Sequence, residues 1–236
     1  DPRDPQSLPR EADDYLAATA AAPKRLRVVL APTLFGVPVQ RDIAACVAAA
    51  FDRMRREMDI EVVATSLDWP DPVDIFDRLW TARGGAYHGL GAADLAMLDP
   101  GFARLIERSR AITIADHLAT LQDRAVYNRR AEESFRDFDI LVTPMVPIDP
   151  FAAEADGPPD MDLSTPVPWA RWTPFSTPFN ITGQPAASMP GGWSDAGLPV
   201  GLQVIGARFQ DARVLQFCAA WERLFDWRSR RPGVFA

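Results

Sequence analysis

The chain has 236 residues, 47% hydrophobic and 24% charged, a balance suited to one large or two small globular domains with a real core. A net charge of -7 with no basic run argues against nucleic acid as a partner. No apolar stretch approaches the ~18 residues of a membrane span and no signal peptide is visible, so no membrane partner and a cytoplasmic location are expected.

Residues 1–23 are polar and proline-bearing and read as a linker or N-terminal arm, with a short helical patch around Glu11–Ala21. Arg25–Pro32 is a β-branched apolar run that predicts a buried strand. Ile43, Val47, Phe51, Met54 and Met58 then recur on one helical face, and Asp59–Ser66 predicts the next strand. Strand, helix and strand of this length imply a parallel pair joined by a right-handed crossover.

Val73–Ala82 reads as a helix carrying Trp80, after which R-G-G-A-Y-H-G-L-G breaks the pattern and leaves Tyr87 and His88 in a flexible loop. Pro100 suits the first turn of a helix over Gly101–Arg110. Thr113, with Asp116 three residues on, predicts the cap of a longer helix, about Ile114–Asp137. Its core stripe is read as Ile114, Leu118, Leu121 and Ala125. Asp139–Val146 is a short buried strand, and Pro147–Ala170 a surface loop rich in proline and aspartate. A last helix starts at Asp211, with Val214, Cys218, Trp221 and Phe225 on one face. Both cysteines, Cys46 and Cys218, sit at apolar helical positions and read as small buried hydrophobes.

The stretch Trp172–Gly206, W-T-P-F-S-T-P-F-N-I-T-G-Q-P-A-A-S-M-P-G-G-W-S-D-A-G-L-P-V-G-L-Q-V-I-G, is the densest in aromatic, small polar and turn-forming residues. Its prolines forbid a long helix. It reads as a one-turn helix near Ser176–Thr182, a strand over Ala186–Met189, a turn through Gly191–Pro199 with Asp195-Ala196-Gly197 at its tip, and a strand over Val200–Gly206.

Chemistry is harder to find. A serine nucleophile needs a base in reach. His88 and His117 read as surface or satisfied histidines, and Lys24, the only lysine, as solvated. There is no G-x-S-x-G elbow, and two dispersed His and two separated Cys give no metal spacing.

T-P-F-N-I-T-G-Q-P-A-A-S-M-P-G-G followed by G-L-P-V-G-L-Q-V-I-G resembles the C-terminal part of the amidase signature family. The opening D-P-R-D-P-Q-S-L-P resembles the linker that follows that family's catalytic core. The resemblance implies an α/β fold, a mixed sheet with helices on both faces, with residues 24–236 forming the C-terminal half of the family's domain. It implies hydrolysis of a small-molecule carboxamide without a cofactor or metal. A serine would attack the amide carbonyl, a neighbouring serine and lysine would shuttle protons, and water would release the acyl group. The Gly/Ser-rich signature and the Ser–cis-Ser–Lys triad are not in this sequence, so no catalytic residue is assigned and the chain alone is expected to be inactive. Its partners are expected to be the absent N-terminal half or a second copy. Two other readings stay open: a non-catalytic binding or assembly module, and a protein like the A-type subunit of the tRNA-dependent amidotransferases.

In the family the segment matching Trp172–Thr177 lies beside the substrate cleft. The resemblance therefore makes Trp172, Thr173, Phe175, Ser176, Thr177 and Asn180 candidate substrate-binding residues, with Trp80 and Tyr87 secondary. The same positions also read as core packing and turn capping, and Asn180 as a backbone brace.

Overall fold

In a computed structural model, the residues described are 14–159 and 167–225, together with Arg3 and Trp227. Five strands form one sheet: β1 (Leu26–Leu30), β2 (Ile60–Val62), β3 (Ile140–Pro144), β4 (Ala186–Trp193) and β5 (Pro199–Gly206). Their order is β2-β1-β3-β5-β4. β1 is parallel to β2 and β3, whereas β5 is antiparallel to β3 and β4, so the sheet is mixed as expected.

Side-chain alternation explains why helices cover both faces. Val28, Ile140, Val142, Leu202 and Val204 point to one side. They meet α2 (Arg41–Glu57) through Ile43, Val47, Phe51 and Met54, and α9 (Asp211–Leu224) through Val214, Phe217, Cys218 and Trp221. Val29, Leu141 and Ile205 point to the other side, toward α3 (Val73–Ala82), α6 (Ile114–Ser134), and α8 (Thr177–Thr182). The crossover helix of the β1–β2 pair is α2, at the periodicity read from the sequence. Trp221 clamps α9 to β4, its indole N–H donating to the Pro190 carbonyl at 2.7 Å.

Several boundaries move. β2 stops at Val62, well short of Ser66, and β4 continues past Met189 to Trp193 through a bulge at Pro190/Gly192. The β4–β5 turn does carry Asp195-Ala196-Gly197, with Gly197 at φ 76°, a conformation that favours glycine. It is pinned to α2 because Asp42 accepts from the Asp195 and Ile43 backbones, which holds its carboxyl below the usual range. Of the Glu11–Ala21 patch, residues 11–13 lie outside the described residues and Tyr15–Ala20 is helical, as α1. This segment lies against α9: Gln216 donates to the Ala22 carbonyl and Arg223 to that of Thr19.

The Tyr87 region is not a free loop. Arg83–Tyr87 forms a 3-10 turn, and Gly84 is buried where any side chain would strike Ser109 of α5 (Pro100–Ser109). The capping box of α6 is as expected, with Thr113 and Asp116 bonding each other's backbone. Its apolar stripe, however, faces outward: Ile114 is 75% and Leu118 53% exposed, and Leu121 and Ala125 are exposed too. The inward side carries Thr120, Tyr127 and Ala131. The Thr120 hydroxyl donates to the Asp116 carbonyl, and Arg124 uses its Nε on Ile181 of α8. The expected surface loop 147–170 ends early, because Pro168–Trp172 is helical (α7). α4 (Ala92–Leu95) is a single additional turn.

The strongest polar tie between layers is Asp139, just before β3. It accepts from the Arg27 backbone at 2.9 Å, from Arg27 Nε and Nη2 at 3.3 Å each, and from Arg213 Nη1 at 3.1 Å. Burial alone would raise its pKa, but Arg27 side-chain and backbone donation and the charges of Arg27 and Arg213 outweigh it, holding the carboxyl below the usual range. A native value below the unfolded one means a contribution that is complete above about pH 4 and lost as pH falls through the native value. Asp139→Asn should lower unfolding free energy by about 1–2 kcal/mol at pH 7. The deficit should shrink toward pH 3, as urea unfolding at the two pH values would measure.

Candidate substrate pocket

α3 places Phe76 and Trp80 one turn apart on the same face, and their rings stack at 5.9 Å between centroids. Trp169, from α7, meets both edge-on, at 5.2 Å from Phe76 and 4.9 Å from Trp80. These rings, with Leu79, Ile181, Asn180, Arg83 and Arg124, line a cavity of about 360 Å³ between α3, α6, α7 and α8. Its position is fixed from behind. Arg124 of α6 donates through Nε to the Ile181 carbonyl at 2.8 Å, near the end of α8, where Gly183 closes the helix in the left-handed conformation. Arg83 lies over the Trp80 ring, with its guanidinium carbon 5.1 Å from the centroid.

The segment before α8 is anchored to the sheet by one side chain. Gln203 of β5 is buried, and its Nε2 donates to the Phe175 carbonyl at 2.9 Å and to the Thr143 hydroxyl of β3 at 3.2 Å. The antiparallel register sets Thr143 directly opposite Gln203, so strand pairing itself aims this amide.

The eight expected substrate-binding residues do not converge on one surface. Trp80 and Asn180 line the cavity. Trp172 is half-buried against Phe151, and its buried indole N–H has no partner among the described residues. Thr173, Ser176 and Thr177 spend their hydroxyls locally: Thr173 donates to the Trp169 carbonyl, and Ser176 and Thr177 both donate to that of Thr173. Phe175 and Thr177 are enclosed by the chain. Asn180 also braces its helix, donating to the Ser176 carbonyl. Tyr87 stands apart, exposed and edge-on to Phe102. Sequence reading missed Phe76, Arg83, Arg124 and Trp169. The four-residue step from Phe76 to Trp80 was a usable signal, whereas Arg124 meets Ile181 across 57 positions.

Ser109 and the two cysteines, which could act as nucleophiles, are not activated. His88 Nε2 lies 2.7 Å from Ser109 Oγ, an arrangement the sequence did not suggest. The Ser109 hydroxyl, however, donates to the Ile106 carbonyl at 2.6 Å and is buried, so in this arrangement its proton is directed away from the imidazole. Lys24 is exposed. Burial pushes the Cys46 thiol up, and that of Cys218 up to about 12, so both stay protonated. No group of His, Cys, Asp and Glu among the described residues could hold a metal. A wider cavity of about 890 Å³ opens beside the start of α2, where Gln40 and Asp149 exchange two hydrogen bonds.

A model of the family described as Amidase matches residues 1–215. The A-type subunit of the glutamyl-tRNA(Gln) amidotransferase of Thiobacillus denitrificans is 26% identical over 264 residues, covering 100% of this chain and 53% of its own. Its counterpart in Aromatoleum aromaticum is 29% identical over 268 residues, with 100% and 53% covered. Among solved structures, a bacterial aryl acylamidase of the amidase signature enzymes superposes with a TM-score of 0.78 at 25% identity, covering 98% of this chain and 51% of that one. A 6-aminohexanoate cyclic dimer hydrolase gives 0.80 at 23% identity, with 100% and 52% covered, a likeness of fold. The chain thus spans about half the length of the curated relatives it matches.

Gln203→Leu leaves the Phe175 carbonyl without its buried donor and should cost about 1–3 kcal/mol in urea unfolding. Gln203→Glu should cost more, because a carboxylate would meet a carbonyl where an amide N–H now stands.

Proposed function

Since the chain belongs to the amidase family, we propose that it forms one wall of the substrate cleft of an amide-hydrolysing enzyme. The observation that carries this reading is the aromatic cavity, in which Trp80 and Asn180 meet Phe76 and Trp169. Apolar walls with a few placed polar groups suit an amide substrate, whose acyl part packs on the rings while its amide is oriented by donors. Trp172, with a buried N–H that lacks a partner among the described residues, is a second candidate donor. Thr173, Phe175, Ser176, Thr177 and Tyr87 stay in the proposed substrate-binding set, at positions that do not line this cavity.

The reacting groups, on this reading, are supplied by polypeptide outside these residues. A serine there adds to the amide carbonyl, the amine or ammonia leaves with a proton, and water then releases the carboxylate from the acyl-serine. This chain contributes no proton transfer; it positions the acyl group. A second reading, an ammonia-supplying component of an amidotransferase, is favoured by the sequence relatives named above. The net charge of -7 gives no support to direct tRNA contact, although such a component can act without it.

The test joins this chain to the N-terminal half of an amidase-family relative, as one polypeptide or by co-expression, and measures ammonia or amine release from aryl amides and from glutamine. The chain by itself should show no turnover, and Trp80→Ala in the joined protein should raise KM about ten-fold or more with little change in kcat. Turnover by the purified chain alone, abolished by a substitution within it, would sink the proposal. Preference for glutamine over aryl amides would select the amidotransferase reading.

A further inference from the structure

We infer that this cavity selects ligands that carry a carboxylate on a flat aromatic group, an inference that deepens the proposed function and rests on its placement of the cleft. Two arginines, Arg83 and Arg124, line a cavity whose remaining wall is mostly apolar and aromatic. Neither takes part in any ion pair among the described residues, although other arginines form eight such pairs there.

The two guanidinium groups differ in how firmly they are held. Arg124 is tethered, because its Nε is committed to the Ile181 carbonyl, and no hydrogen bond from its two Nη groups to a described residue is formed. Arg83 is held by its position over the Trp80 ring and is exposed on its other side. Trp80 and Trp169 meet at an interplanar angle of 75°, forming a corner into which a flat ring fits. A cavity of about 360 Å³ has room for a substituted benzene ring and for further groups attached to it. An aryl carboxylate would lie in the corner with its oxygens toward the guanidinium groups, where charge-assisted donation is stronger than to a neutral amide. The substrate class is therefore an amide that bears an aryl carboxylate, rather than a plain aliphatic amide.

The test needs no turnover, so it stands or falls separately from the hydrolytic reading. Benzoate and its neutral isostere benzamide are titrated into the purified chain, and tryptophan fluorescence and calorimetry report binding. Benzoate should bind about ten-fold more tightly than benzamide at low salt, and the margin should shrink as salt rises. Arg83→Gln, at an exposed position, should narrow that margin several-fold by weakening benzoate more than benzamide. Trp169→Leu should weaken both ligands. Equal affinity for the two probes, or a benzoate preference that Arg83→Gln leaves intact, overturns the inference. Should benzoate selectivity appear while the joined protein hydrolyses no amide, the hydrolytic reading fails and this one stands.

Discussion

A single buried amide couples the sheet to the pocket. Gln203 lies on the face of β5 that carries Ile205, amid apolar neighbours, and an amide there is tolerated only if its donors are used. It uses them on the Phe175 carbonyl and on Thr143 of the neighbouring strand. Because side chains alternate along a strand, a slip of one residue in the β3–β5 register would turn Gln203 to the opposite face. It would also bury the polar group among Val142 and Leu202. Correct pairing and correct placement of the Phe175 segment are thus the same event.

From that anchor the wall is built outward in steps that each depend on the last. Phe175 fills the layer beneath α8, Ile181 presents its carbonyl to Arg124, and the two tie α6 to α8. α3 then lies against both, which brings Trp80 opposite Trp169. The local hydroxyl bonds of Thr173, Ser176 and Thr177 stiffen the connection between α7 and α8. Rigid support with aromatic walls is the usual arrangement where a site must hold a substrate still.

Much of the framework was legible because it rests on short-range pattern. The α2 periodicity, the β5 apolar run, the Asp195-Ala196-Gly197 tip and the Thr113–Asp116 cap are each decided within a few residues. α6 shows where that logic ends. Its apolar residues recur at helical spacing, yet Ile114 and Leu118 face outward, because the inward side is chosen by what α3 and α8 can accommodate at close range. The pocket divides in the same way. Trp80 could be suspected from composition, but Arg124 and Trp169 join it only through tertiary packing, and the carbonyl partners of the Trp172–Thr177 hydroxyls are visible only in the folded chain.

The exposed side of β4 adds a constraint of a different kind. Among the described residues β4 pairs only with β5, so its outer backbone groups lie at a sheet edge, with Ala186 and Ser188 exposed. Open edges of this sort invite another strand. Yet Pro190 has no N–H to offer and the bulge at Pro190/Gly192 turns the strand, so a regular ladder could extend only along the Ala186–Met189 end. That end lies on the opposite side of β5 from β3, and β5 is also the strand that carries Gln203. A strand added there would extend the same sheet that holds the pocket wall. The sheet would then be the rigid link between the two, without any need for a flexible hinge.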